Sequence, residues 1–196
     1  MHLRHFLSDV ETEPMRIAYA PFTCTTDKIL RVTWRRRRGR PWQVLHASIV
    51  HDGGVSLNPL IDAGQVHGAF VMGMGYHLSE EQQFDRATGR LLANGTWEYK
   101  PPTTTDIPVD MTVKFLEKVP NPMGVLHSKA VGEPPLLLSC GVVLAARAAI
   151  QALHETTMPC STQESRHPPV VVLNSPITAE QLRKKCAITP GSMVLG

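Results

Sequence analysis

The spacing of apolar positions changes several times along this 196-residue chain, and each change predicts an element. QVLHASIV, 43–50, alternates and ends in β-branched residues, which predicts a strand. HDGGVSLNP then reads as a turn-rich loop. Asn58 and Pro59 form a helix start, with Asn as N-cap and Pro at the first helical position. From there LIDAGQVHGAFVMGMGYHLSEE predicts one helix. Ile61, Gln65, Gly68 and Met72 share a face of it, with small residues that allow close packing. QQFDRATGRLLA predicts a hairpin turning near Ala87–Gly89, and GTWEYKPPTTTDIP an extended loop punctuated by proline. DMTVKFLEKV, 110–119, alternates again, with Met111, Val113 and Phe115 on one side. LLLSCGVVLAARAAIQALHE, 136–155, predicts a strong helix. VVVLNSPITAEQLRKKC predicts a strand followed by a helix capped by Ser175 or Thr178.

Residues 1–42 differ from the rest. They show no sustained period, no helix or sheet is evident to present WRRRRGRPW, and the region is expected to be poorly ordered or wrongly joined to the remainder of the chain. Charge sharpens the contrast. The net charge is +3, but residues 1–46 hold nine Lys/Arg against four Asp/Glu, so the remainder is slightly acidic. RRRRGR flanked by Trp34 and Trp42 admits a nucleic-acid reading, in which the indoles stack on bases. The acidic remainder argues against it and favours a solvated charge run or a wrong reading frame. No Walker motif or GxGxxG occurs, and nucleic acid is not the expected partner.

At 42% hydrophobic and 19% charged, the chain can bury a core. Cys24, Cys140, Cys160 and Cys186 are widely spaced, with no CxxC, and His46, His51, His67 and His77 give no metal-ligand spacing. A protein-ligated metal is therefore not expected. The free thiols and the lack of a secretory signal suit a cytoplasmic location. Leu136–Leu153 is the most apolar stretch. Ser139, Arg147 and Gln151 interrupt it, so it reads as a core helix rather than a membrane span.

Two side chains stand out chemically. Glu133 is a lone acid between Gly132 and Pro134-Pro135 at the mouth of the apolar segment. It can be a helix N-terminal acid, favoured by the macrodipole, or a general base held ionised by the same dipole. Gln65, between Gly64 and Gly68, can be an ordinary surface amide. It can also be a planar donor and acceptor that a polar heteroaromatic ligand approaches over the glycines. The residues alone leave both alternatives open.

Four ordered segments, IVHDGGVSLNPLIDAGQVHGAFVMGMG, GTWEYKPPTTTDIP, SKAVGEPPLLLSCGVVLAARAAI and LNSPITAEQLRKKC, together resemble the molybdenum hydroxylases, the xanthine dehydrogenases and aldehyde oxidases. The resemblance spans about residues 43–187. It implies an α+β fold, the C-terminal portion of a molybdopterin-binding domain, with short sheets packed against two or three helices. It divides the chain into an atypical segment 1–42, a partial domain 43–190 and a tail 191–196. It implies molybdenum-molybdopterin as cofactor and a heteroaromatic or aldehyde substrate. By the same resemblance Glu133 is the base beside the molybdenum, taking the proton of the hydroxyl that attacks an electron-poor carbon. Gln65 contacts the molybdopterin, and Val131 lies at the cofactor. The metal is held by the pterin dithiolene, not by protein side chains. The full-length family is dimeric and carries two iron–sulfur clusters and FAD on domains that these residues do not include.

The chain departs from the family pattern at His67, where Glu is usual, and at Met72, where Gln is frequent. Both changes are expected to disturb packing near the cofactor. The resemblance also implies a truncated gene model or fragment with a wrong 5′ exon or frame, inactive by itself. Its rival is a non-catalytic short protein that binds full-length family subunits.

Overall fold

A computed structural model describes residues 15–18, 30–37, 40–117, 119–157 and 171–186. Three strands come first: β1 (Met15–Ala18), β2 (Leu30–Arg37) and β3 (Arg40–His51). They pair antiparallel in chain order, and β4 (Asp110–Phe115) completes the sheet on the far side of β3. β3 and β4 are parallel, from His46 opposite Asp110 to His51 opposite Phe115. Parallel strands need a long crossover. Here the connection carries helix α1 (Pro59–Leu78) and the loops after it. Helices α2 (Glu133–Leu138), α3 (Cys140–Thr157) and α4 (Ala179–Lys185) come last. The α+β expectation holds.

The core lies between the sheet, α1 and α3. β3 contributes Val44, Ala47 and Ile49, with His51 buried at its end. The step from Val44 to Ala47 breaks strict alternation. The β2–β3 register shifts at this point, Trp34 facing Val44 while Thr33 faces His46, so Leu45 is the extra residue of a bulge. α1 contributes Val66, Phe70 and Met74, and α3 contributes Val142, Ala145, Ala146 and Ile150, both at helical spacing. Leu182 of α4 joins them, as do Val171 and Ile177.

Most predicted elements stand. Asn58 caps α1, its side chain accepting from the Ile61 amide at 3.3 Å, and Thr178 caps α4 through the Gln181 amide. Met111, Val113 and Phe115 share the more buried side of β4, which stops at Phe115 instead of Val119. The hairpin survives as a single Phe84–Leu91 bridge, with Gly89 at a left-handed φ of 69°.

Four expectations are corrected. Ile61 and Met72 face solvent, so the α1 face they share with Gln65 and Gly68 is not the packed one. The helix expected from Leu136 starts at Glu133 and is interrupted at Ser139, whose hydroxyl donates to the Leu136 carbonyl at 2.6 Å. Residues 171–174 form no strand. The stretch before Trp42, where no sheet was anticipated, contributes the backbone of β1, β2 and the start of β3. Arg35–Arg37 lie in β2, with Arg37 paired to Arg40 of β3. The other residues of 1–42, the tail 191–196, Cys24 and Cys160 lie outside the described residues.

Glu133–Gln151 is long and apolar enough, by length and composition, to cross a membrane. In this fold it is interrupted at Ser139 and turns Val142, Ala145, Ala146 and Ile150 into the core, as expected of a core helix.

Candidate functional site

Three segments converge where β3 ends. β3 runs out into Asp52-Gly53-Gly54, α1 begins a few residues later, and the chain returns through 127–133 into α2. The return segment is tied to the end of β3 backbone to backbone. Lys129 N donates to Gly53 O at 3.0 Å and Val55 N donates to His127 O at 2.9 Å, around a Gly54–Ser128 bridge. Gly54 has a φ of 66°, and a Cβ there would stand 2.5 Å from the His127 carbonyl oxygen. Only glycine suits both the backbone and the space. On the other side of the bridge, Leu126 and His127 carry positive φ values of 50° and 63°.

Asp52 anchors this junction. The residue is 6% exposed. One oxygen accepts from the Gly54 amide at 2.9 Å, and the other pairs with Lys129 Nζ at 2.5 Å. Burial pushes the Asp52 carboxyl up. The Lys129 ammonium and the Gly54 N–H outweigh burial and hold it below the ordinary value of 3.8. A carboxyl depressed in the folded state stabilises the fold fully above its unfolded pKa, and that contribution is lost as pH falls through the folded value. The stability advantage of the chain over its Asp52→Asn variant is therefore expected to be constant near pH 7 and to shrink below about pH 4. Urea denaturation at a series of pH values measures it, and an advantage unchanged down to pH 2 would refute the assignment.

From this anchor the chain reaches the residues singled out in the sequence. Val131 is half-buried, its Cγ1 3.3 Å from where a Cβ on Gly53 would stand. Gly132 comes next, and a Cβ there would lie 3.3 Å from Gln65 Oε1. The side-chain amide of α1 thus sits against the residue that precedes Glu133. Glu133 opens α2 and is exposed. No side chain caps this start. Pro134 and Pro135 have no N–H to satisfy, and the acid in the first turn suits the helix dipole. Gln65, Val131 and Glu133 therefore gather at one place, although Gln65 and Glu133 are 68 positions apart.

The surface beside Gln65 is open. Nothing lies within 4 Å of a Cβ built on Gly64 or Gly68, so a flat ligand can approach the α1 backbone beside the Gln65 amide. This fits a pterin, whose planar polar edge needs donors and acceptors in one plane. Met72 lies exposed further along the helix, and His67 is half-buried. Among the described residues no three His, Cys, Asp or Glu side chains gather to hold a metal ion.

α2 is held against α1 by contact at Gly73. A Cβ at that position would collide with the Ser139 hydroxyl and stand 2.5 Å from the Leu136 carbonyl oxygen. Sequence reading passed over Asp52, Lys129 and Gly73. A lone acid ending an apolar strand just before two glycines was the available signal for Asp52. Nothing local marks Lys129 or Gly73.

The chain is similar to known proteins over most of its length. A model of the molybdopterin cofactor-binding domain matches residues 12–108. Xanthine dehydrogenase/oxidase of Felis catus is 41% identical over 142 residues, covering 72% of this chain and 10% of that protein. Aldehyde oxidase 3 of Mus musculus is 38% identical over 142 residues, with the same two coverages of 72% and 10%. Quinoline 2-oxidoreductase from Pseudomonas putida 86 superposes with a TM-score of 0.65 at 26% identity, over 84% of this chain and 19% of that one. The chain spans about a tenth of the length of the curated relatives it matches.

Proposed function

The chain belongs to the molybdenum hydroxylases, whose cofactor is molybdenum-molybdopterin, and on that premise we propose that it provides the base and one pterin contact for the oxidative hydroxylation of a purine or an aldehyde. The observation that carries this reading is the meeting of the Gln65 amide with Gly132, directly before Glu133, over the open glycines of α1. When bound, the cofactor supplies a two-electron acceptor for the carbon being hydroxylated. Gln65 would hold the edge of the pterin, and half-buried Val131 would exclude water beside it. Glu133 would accept the proton of the attacking hydroxyl at its carboxylate.

The activity belongs, in this proposal, to a longer cytoplasmic and homodimeric polypeptide. There two iron–sulfur clusters and FAD carry the electrons away, and further residues complete the substrate pocket. Neither a membrane nor a nucleic acid enters the reading. The 196 residues alone, mixed with molybdopterin and substrate, are expected to give no turnover.

A second reading rests on the exposed apolar side chains of α1, Leu60, Ile61, Met72 and Tyr76. Exposed apolar patches of this kind mark protein contacts, and the chain would then be a non-catalytic protein that docks on full-length family subunits. The native polypeptide carrying the SKAVGEPP peptide decides between the two. The first reading expects a band several times larger than 21.6 kDa that contains molybdenum and oxidises xanthine or an aldehyde. A 21.6 kDa band that copurifies with a family enzyme and turns over nothing would replace the first reading by the second.

A further inference from the structure

The Asp52–Lys129 pair at the end of β3 lies between the rigid sheet and the proposed base. Asp52 comes directly after the last residue of β3, and His51 just before it is buried, its ring edge-on to Phe115 of β4 with centroids 5.8 Å apart. Leu116 N donates to His51 O at 3.0 Å, so the neighbouring strand also fixes this strand end. Asp52 is therefore placed by the sheet. Lys129, by contrast, sits on an irregular return segment two residues before Val131 and four before Glu133. That segment includes two consecutive non-glycine residues with positive φ, Leu126 and His127. Such residues are strained and persist only where the surroundings over-determine them. The turn's own hydrogen bonds, from Asn121 N to His127 O and from Ser128 N to Val125 O, fix its shape, while the Asp52 carboxylate on the Lys129 ammonium, the Lys129 N–H on Gly53 O and the Val55 N–H on His127 O tie it to the sheet.

We propose that Asp52 and Lys129 are positioning residues for Glu133: the ion pair of half-buried Lys129 with the buried Asp52 carboxylate clamps residues 127–133 to the end of the sheet, and so sets Gly132 against Gln65 and Glu133 at the mouth of α2. The proposal rests on Glu133 being the proposed base, but the clamp itself is a statement about the chain. The geometry explains why charge is used here. A backbone bridge fixes the height of a segment against a strand end. A desolvated carboxylate that also accepts from the Gly54 amide fixes the lysine laterally as well, because each oxygen is already directed to one donor. Removing the Lys129 charge leaves the buried Asp52 carboxylate uncompensated, which is more disruptive than losing an exposed pair.

Peptide-resolved hydrogen exchange on the full 196-residue chain tests the clamp without needing activity. In Asp52→Asn, and separately in Lys129→Gln, the amides of residues 127–133 are expected to exchange faster by on the order of tenfold or more, while α3 from Val142 to Ile150 keeps its protection. Lys129→Arg keeps a charged donor and is expected to retain the protection that Lys129→Gln loses. A merely space-filling lysine would not distinguish the two. Unchanged exchange at 127–133 in both neutral variants overturns the proposal. So does loss spread equally over α3, or failure of both variants to fold, since the pair would then hold up the whole fold rather than one segment. Exchange reads the segment whether or not Glu133 is a base. Failure of the clamp therefore leaves the catalytic reading standing, and failure of the catalytic reading leaves the clamp standing.

Discussion

Turnover is expected to fall by about 10²- to 10⁴-fold when Glu133 is replaced by Gln in the full-length polypeptide, with molybdenum and pterin content unchanged. Glutamine matches glutamate in shape and still offers an oxygen acceptor, but it takes no proton at neutral pH. The structural effect of the change is small. The side chain is exposed, and the lost charge in the first turn of α2 is worth about 0.3–1 kcal/mol. Pro134 and Pro135, which need no capping, remain to start the helix. The two readings of Glu133 therefore separate cleanly. As a helix-start acid, its replacement would shift stability slightly and leave kcat alone. As a base, it would leave stability nearly alone and remove kcat. Glu133→Asp, one methylene shorter, is expected to fall between the wild type and Glu133→Gln. Steady-state kinetics beside metal analysis checks the set, and a Gln variant within tenfold of wild type would rule the base out.

Gly73→Ala is expected to destabilise the chain by about 3 kcal/mol, the upper end of the overpacking range. The reason is the nature of the neighbours. One atom that an added Cβ would meet is the Leu136 backbone carbonyl oxygen at 2.5 Å, and another is Ser139 Cβ at 2.7 Å. Neither can rotate away, and the Ser139 hydroxyl is committed to Leu136 O. α1 must move off the α2–α3 junction, carrying Gln65 away from Gly132. Gly64→Ala is the control on the same helix. Its added methyl meets nothing within 4 Å, so the helix should gain roughly 0.5–1 kcal/mol from the lost backbone freedom. Thermal unfolding should show the two variants shifting in opposite directions, with Gly73→Ala lower by about 6–12 °C. Equal shifts for both would refute the close contact.

Much of the site was legible before the fold was known, for reasons that are local. Asn58-Pro59 starts α1 because capping depends on residues within one turn. The alternation of Met111, Val113 and Phe115 marks β4 because side-chain direction in a strand has period two. Glu133 drew notice because an acid before two prolines is a helix start on its own terms, and Gln65 because glycines lie on either side of it. The roles proposed for them rest on resemblance over separate ordered segments, which composition and period do not supply.

What stayed hidden depends on residues distant in the chain. The strong apolar run from Leu136 promised one helix. It is interrupted at Ser139, whose buried hydroxyl donates to the previous turn and stands against a glycine 66 positions earlier. The glycine-bearing face of α1 promised close packing, but Gly64 and Gly68 stay open; the packed glycines are Gly73, roughly opposite them, and Gly75 against Pro102. The Arg run offered no period, yet its backbone is drawn into β2 and β3 by ladder pairing, which asks for hydrogen bonds rather than side-chain pattern. The sequence by itself determined the helix starts, the strand alternation and the candidate pair Gln65 and Glu133, since each is set within a turn or a few alternating positions. Only the tertiary structure decided the parallel pairing of β3 with β4, the buried face of α1 and the tie from Asp52 to Lys129. Those are contacts across 60 to 80 positions, and the energies that select them come from burial and desolvation, which no short window contains.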